Sequence, residues 1–215
     1  MIAQILLPKN EGGEALYNLF NLPEKKFKIY MAAANVFGRK GFYKTTIEDI
    51  AQEADIGKST VYEYVESKEK LFSEIVSSGF EFFMDNLTAT LHDVQGIEAK
   101  IRSFIKAWLL LIKDHYNLYK VVLCDYYDPC HDQNKNELFW ALKTRIEELL
   151  SDALKQSIEA GQLRNVHISL ITISLVGILM GVSSAFDRDD KENINIEKLS
   201  DELSAILLNG IMIQP

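Results

Sequence analysis

The chain has 215 residues, of which 47% are hydrophobic and 25% are charged, and its formal net charge is −8. This composition is typical of a globular protein that can bury a sizeable core, so it excludes disorder along most of the chain. The acidic balance argues at first against a nucleic-acid partner. The initial apolar run is too short for a signal peptide and lacks a basic flank. With only two cysteines present, we therefore expect a cytoplasmic location.

Residues 1–23 form an extension before the first strongly periodic segment. Gly12 and Gly13 interrupt this extension, and Pro23 ends it. An arm that enters a DNA minor groove needs arginine or lysine, and Lys9 is the one such residue here. We therefore expect a loosely packed or partner-contacting arm.

Two helices are predicted next. Apolar residues recur at helical spacing over residues 24–40, and Gly41 provides the expected stop. A short helix should then begin near Ile47, because Thr45 and Thr46 can each cap it with an acidic residue three positions later.

A third helix is predicted from Lys58 to about Val65, after a turn at residues 55–57. Its inward positions are Val61 and Val65, which are four residues apart. Its outward positions carry one cation and four hydroxyl groups, on Lys58, Ser59, Thr60, Tyr62 and Tyr64. Such a set suits phosphate oxygens and base edges in a major groove. The pattern predicts a helix-turn-helix with a recognition helix that begins at Lys58.

A specific spacing runs through this region. Its residues are Phe37, Gly41-Phe42, Thr45-Thr46-Ile47, Asp49-Ile50-Ala51, Ala54, Lys58, Thr60-Val61-Tyr62 and Ser67-Lys68-Glu69-Lys70-Leu71-Phe72. These residues resemble the DNA-binding domain of the TetR family of transcriptional regulators. The chain departs from the family pattern at Asp55, Gly57, Ser59 and Tyr64-Val65, so the operator sequence is not predicted. The candidate DNA-binding residues are Thr45, Thr46, Lys58, Ser59, Thr60, Tyr62, Tyr64 and Lys68.

The uneven distribution of charge removes the objection to a DNA partner. Residues 24–70 contain nine lysine and arginine residues and eight acidic residues, whereas residues 71–215 have a net charge of −8. The local cations can supply the phosphate contacts that dominate affinity for DNA. They include Lys25, Lys26, Lys28, Arg39, Lys40, Lys44, Lys58 and Lys68.

Further helices are predicted over most of the remaining chain, which gives an all-α fold. The periodic segments are residues 68–92, 97–113, 134–160 and 196–213, and a segment rich in tyrosine and valine occupies residues 115–128. Gly79 lies inside the first of these helices and marks either a bend or a close packing contact. We expect three parts: an extension at 1–23, a helix-turn-helix domain at 24–70 and a ligand-binding and dimerisation domain at 71–215.

Residues 167–186 contain no Asp, Glu, Lys or Arg, and this uncharged segment is long enough to span a membrane. Five serine and threonine residues are scattered through the segment and no basic flank anchors it, so we expect a helix that is covered on nearly all sides. The resemblance implies that this helix and the last one pair with their counterparts in a homodimer.

The C-terminal region is rich in aromatic residues, most of which we expect in the core. The resemblance implies that some of them line a cavity for a small molecule, and an apolar or aromatic effector would suit them. The candidates are Phe104, Trp108, Tyr119, Tyr126, Tyr127 and Trp140. We expect no metal and no cofactor.

An alternative use of this region is redox chemistry. Cys124 and Cys130 lie near His131, but their spacing matches no zinc signature. A sensor disulfide, or a helical redox protein, is therefore the alternative to a ligand-responsive regulator. The sequence favours a homodimeric repressor that binds a palindromic operator and is released by a small molecule. It contains no common catalytic motif, so we expect no enzyme.

Overall fold

The computed structural model describes residues 23–124, 135–183, 186 and 194–211. These residues form helices and connecting loops, which confirms the all-α prediction. The helices are α1 Glu24–Lys40, α2 Ile47–Glu53, α3 Lys58–Tyr64, α4 Lys68–Leu91, α5 Ile97–Asp114, α6 Tyr116–Tyr119, α7 Lys135–Glu159, α8 Ile168–Ser183 and α9 Ile196–Ile211, with a π-helical turn at Lys120–Cys124.

The chain divides into two compact units. Among the described residues, the first unit includes 23–83 and 115–124, and the second includes 84–114, 136–183, 186 and 194–211. The predicted helix-turn-helix at residues 24–70 lies wholly within the first unit. The predicted domain boundary after residue 70 stays a prediction.

The core of the first unit joins α1, α2, α3 and the start of α4. Ile29, Phe37, Ile50, Val61 and Leu71 are almost completely buried in this unit. Their spacing places one apolar face of each short helix inward, which is how helices too short to be stable alone are held. The short helices therefore depend on this core for their position.

The turn between α2 and α3 has an unusual backbone. Asp55 has a φ of 53°, in the left-handed region that most side chains avoid. Asp and Asn tolerate this conformation better than other residues, apart from Gly. Asp55 can therefore adopt the backbone conformation that this turn requires.

Two glycines allow close helix packing in the first unit. A Cβ atom at Gly38 of α1 would lie 2.9 Å from the backbone oxygen of Asn117 in α6. A Cβ atom at Gly79 of α4 would lie 2.6 Å from Val122 Cγ2 and 3.0 Å from Leu118 Cδ1. Of the two predictions for Gly79, the structure thus supports close packing.

The second unit is built on α5, which packs against α8 and α9. The nine buried residues of α5 include Ile101, Phe104, Trp108 and Ile112. Lys106 Nζ lies 2.6 Å from Glu197 Oε1, an ion pair that joins α5 and α9. α5 therefore supplies the central apolar face of this unit.

In the described part of the segment rich in tyrosine and valine, the short α6 passes directly into the π-helical turn at Lys120–Cys124. One sequence-based expectation needs correction. The helix in the uncharged segment, α8, is not covered on nearly all sides within one chain: Leu170 is 55% exposed, and Gly177 and Gly181 are also exposed. Among the described residues, no helix is both long enough and apolar enough to cross a membrane.

Candidate nucleic-acid interface

Helix α3 presents the predicted polar edge to solvent. Val61 is fully buried and Val65, the residue that ends the helix, is also buried. Lys58, Ser59 and Tyr62 are exposed, whereas Thr60 and Tyr64 are half-buried. The structure thus places the predicted valine pair inward and three of the five predicted polar side chains fully outward.

Lys58, at the start of α3, is already engaged by a carboxylate. Its ammonium group donates a hydrogen bond to Glu48 in the first turn of α2 and lies 6.0 Å from the centre of the Tyr62 ring. The hydrogen bond raises the pKa of Lys58 and lowers the pKa of Glu48. Lys58 therefore stays charged, and a DNA ligand would have to compete with Glu48 for it.

The other two acidic residues of α2 also hold cations of α1. Arg39 donates two hydrogen bonds to Glu53, at 3.1 and 2.5 Å. Lys40 donates to Asp49 at 2.6 Å, and this contact, with hydrogen bonds from Thr46, lowers the pKa of Asp49 to about 2. The local cations are thus less available to phosphates than their number in the sequence indicates.

The two candidate cap residues have different positions. Thr46 is exposed and forms a capping box with Asp49: its hydroxyl accepts from the Asp49 N–H, and its own N–H donates to the carboxylate. Thr45 is only 1% exposed, and its hydroxyl donates to the Gly41 carbonyl at 2.8 Å. The expectation that the Thr45 side chain contacts DNA is therefore wrong for this conformation, because that side chain is part of the core.

Lys68 has a contact that the sequence did not predict. Its ammonium group donates to the carbonyl oxygens of Phe42 and Thr45, each at 3.0 Å, and lies 4.4 Å from the centre of the Phe42 ring. The first turn of α4 is thereby attached to the loop before α2. A phosphate contact by Lys68 stays a prediction, and the structure adds a role in positioning this loop.

Comparison with known proteins identifies this arrangement. Residues 29–75 match the family profile described as bacterial regulatory proteins, tetR family. A structure from Clostridium perfringens, described as a fatty acid metabolism regulator, has a TM-score of 0.70 and 29% identity over 87% of this chain and 100% of its own. Its DNA-binding domain belongs to the tetR family.

Two other TetR-like proteins give a measure of this relationship. The HTH-type transcriptional regulator YerO of Bacillus subtilis is 26% identical over 82% of this chain, but the match covers only 61% of YerO itself. The structure of AibR in complex with isovaleryl coenzyme A and operator DNA has a TM-score of 0.71, with 18% identity over 86% of this chain and 98% of its own. At that identity, the AibR likeness shows the TetR fold alone.

Four of the six candidate ligand-binding residues lie in the described part of the chain and fall into three groups. Phe104 and Trp108 are buried in the second unit with their ring centres 6.3 Å apart, and Trp108 Nε1 donates to Ser183 Oγ at 3.2 Å. Tyr119 is buried in the first unit. Trp140 is 50% exposed, so it lies at the surface rather than in the enclosed position that a cavity residue would have.

The other candidates lie outside the described residues. They are Tyr126 and Tyr127, together with Cys130, His131 and the side chain of Cys124. Neither the full ligand set nor the predicted redox pair is therefore tested. Within the described parts of the chain, no group of three or more histidine, cysteine, aspartate or glutamate side chains could hold a metal ion.

The second unit has an open depression that the sequence did not predict. Its volume is about 430 Å³, and it is lined by residues 95–99, Arg102 and Gln162. Arg102 is already paired with Glu98 at 3.1 Å. This depression contains none of the predicted aromatic ligand-binding residues.

Proposed function

We propose that this protein is a homodimeric transcriptional repressor that binds a palindromic DNA operator and is released by a small molecule. The observation that carries the proposal is the exposed edge of α3, where Lys58, Ser59 and Tyr62 project from a helix anchored by buried Val61. A short, rigidly anchored helix with such an edge suits a major groove. The match to the family profile covers this same region.

The homodimer is proposed from the open faces of α8 and α9. Leu170 and Gly177 are exposed on α8, and Ile206 is 66% exposed on α9. Exposed apolar side chains beside small residues favour close packing against another helix. Two subunits joined in this way would place two α3 helices in successive major grooves, about 34–36 Å apart.

The effector is proposed as an apolar or aromatic small molecule. Buried Phe104 and Trp108 support an apolar site, and the Trp108–Ser183 hydrogen bond shows that polar groups also occur in this region. The complex of AibR with isovaleryl coenzyme A makes acyl-CoA thioesters a sensible first panel. For release, the effector must prefer the dimer that does not fit the operator. A hundredfold preference corresponds to about 2.7 kcal/mol.

The test begins with selection of duplexes from a random pool by the purified full chain. We expect enrichment of a palindrome, bound by a dimer. Replacement of Lys58 and Tyr62 together by alanine should weaken binding to the selected duplex about a hundredfold without loss of the helical circular dichroism signal. Undiminished binding by the double variant would contradict the assigned docking face.

The second arm measures release. Acyl-CoA thioesters and aromatic acids are added to the complex of wild-type protein and selected duplex, and bound DNA is followed by fluorescence anisotropy. At least one class should lower affinity, while coenzyme A alone should not. Selection of a duplex with no release by either class would contradict the proposed type of effector and leave DNA binding intact.

A further inference from the structure

The loop of residues 41–46, which we call the anchored loop, is fixed by contacts on both sides. Thr45 Oγ1 donates to the Gly41 carbonyl across the loop. Lys68 donates to two further carbonyls of the loop, those of Phe42 and Thr45. The Phe42 ring lies 4.8 Å, centre to centre, from the ring of Phe72 in α4. The loop is therefore held in one conformation before any partner arrives.

The anchored loop exposes two residues in spite of this fixation. Tyr43 is 77% exposed, more than any other large hydrophobic side chain in the described part of the chain. Its ring lies in an edge-to-face arrangement with the ring of Phe42, with ring centres 5.4 Å apart. Lys44 beside it is exposed as well. A rigid segment that leaves an aromatic ring in water suits a contact surface better than a structural role.

Lys44 also differs from its neighbouring cations. Lys40 and Lys58 are each paired with a carboxylate of α2. Within the described ranges, no carboxylate lies at ion-pair distance from Lys44. A phosphate could therefore bind Lys44 without breaking an existing ion pair, so this residue should contribute fully to counterion release.

The anchored loop lies close to the recognition helix. It ends at Thr46, the cap of α2, and two residues later Glu48 contacts Lys58 in the first turn of α3. A duplex that places its major groove against this turn would bring the phosphates at the groove edge near the loop.

We propose that Tyr43 and Lys44 form a second DNA contact, on phosphates beside the groove that α3 enters. Lys44 would supply a charge and the Tyr43 hydroxyl would donate a hydrogen bond, while Lys68 acts as a positioning residue for both. This inference rests on the proposed operator binding and adds a sequence-independent contact to it.

The test uses two single variants of the full chain, Lys44→Gln and Tyr43→Phe, and a duplex selected by the wild type. The matched control is Lys155→Gln, which makes the same charge change at an exposed position of α7. Affinity is measured by fluorescence anisotropy between 50 and 200 mM salt, on the selected duplex and on a scrambled one.

The plot of log K against log salt should become less steep for the Lys44→Gln dimer, on both duplexes. The expected change in slope is about two units, about 0.9 for each subunit. The Tyr43→Phe dimer should bind about fivefold more weakly per subunit with its slope unchanged, because a neutral hydrogen bond is lost. The Lys155→Gln control should match the wild type. Unfolding temperatures should stay the same in all three variants, since the changed side chains are exposed.

The outcomes separate this inference from the proposed function. If Lys58→Ala weakens binding but Lys44→Gln keeps the wild-type slope, the loop contact is wrong and operator binding stands. If the wild type selects no duplex, the proposed function fails and the loop contact fails with it. A loss of slope in Lys155→Gln equal to that in Lys44→Gln would show a general charge effect and also overturn the inference.

Discussion

Gly38 gives the sharpest test of how the first unit is packed. A Cβ atom in a Gly38→Ala variant would lie 2.9 Å from the Asn117 oxygen and 3.0 Å from the Asn117 Cα. These are backbone atoms, so they cannot rotate away, and α6 must shift from α1. Overpacking of this kind costs about 1–3 kcal/mol, and alanine returns up to about 1 kcal/mol through its higher helix propensity. Because backbone atoms cannot move away, we expect the upper end of this cost, about 3 kcal/mol, and hence a net loss of about 2 kcal/mol.

Thermal unfolding followed by circular dichroism checks this value. For a chain of this size, 2 kcal/mol corresponds to a decrease of about 4–8 °C in the midpoint. Gly79→Ala is the matched comparison, because its Cβ atom would meet the ends of the Val122 and Leu118 side chains, which can move. Its expected loss is about 1 kcal/mol. A Gly38→Ala protein as stable as the wild type would refute the close packing of α1 and α6.

Three further predictions follow from the helix-turn-helix. Asp55→Ala should be about 1 kcal/mol less stable than Asp55→Gly in urea unfolding, because glycine accepts the left-handed backbone at this position. The Asp49 carboxylate has its pKa lowered from 3.8 to about 2, so its stabilising effect should be complete above pH 4 and lost as the pH falls towards 2. The stability difference between wild type and Asp49→Asn should therefore shrink over that range. Glu48→Gln should raise affinity for both selected and scrambled duplexes, because Lys58 is released and a negative charge beside the phosphates is removed.

Each of these predictions has a clear contrary result. Equal stability of the two Asp55 variants would mean that the backbone at this turn is not strained. A constant difference between wild type and Asp49→Asn from pH 5 to pH 2 would show that the carboxylate is not held by Lys40 and Thr46. For Glu48→Gln, the control is Glu148→Gln at an exposed position of α7. The same gain of affinity in both variants would remove any special role of the Glu48–Lys58 pair.

The sequence predicted the parts of the fold that depend on local signals. Apolar spacing, the Thr-x-x-Asp cap and Gly41 located α1 to α3 within a residue or so, because each signal acts within one or two turns of helix. The outward edge of α3 was predictable for the same reason: once Val61 and Val65 point inward, the remaining positions follow from helical geometry.

Features that depend on contacts distant in sequence were not predictable in this way. Thr45 and Thr46 are both reasonable caps, and only the packing of the loop decides that Thr45 is buried. The position of Lys68 depends on carbonyls 23 and 26 residues away. The exposure of Tyr43 could not be predicted from the sequence, because an aromatic residue near Phe37, Phe42 and Phe72 is expected to lie in the core.

The most direct test of the central claim is methylation interference on the selected duplex. If α3 reads the major groove in a dimer, methyl groups on guanine N7 should block binding in two patches about 10 base pairs apart, while methylation of adenine N3 in the minor groove of these patches should have no effect. Interference confined to the minor groove, or a single patch without a symmetric partner, would contradict the account.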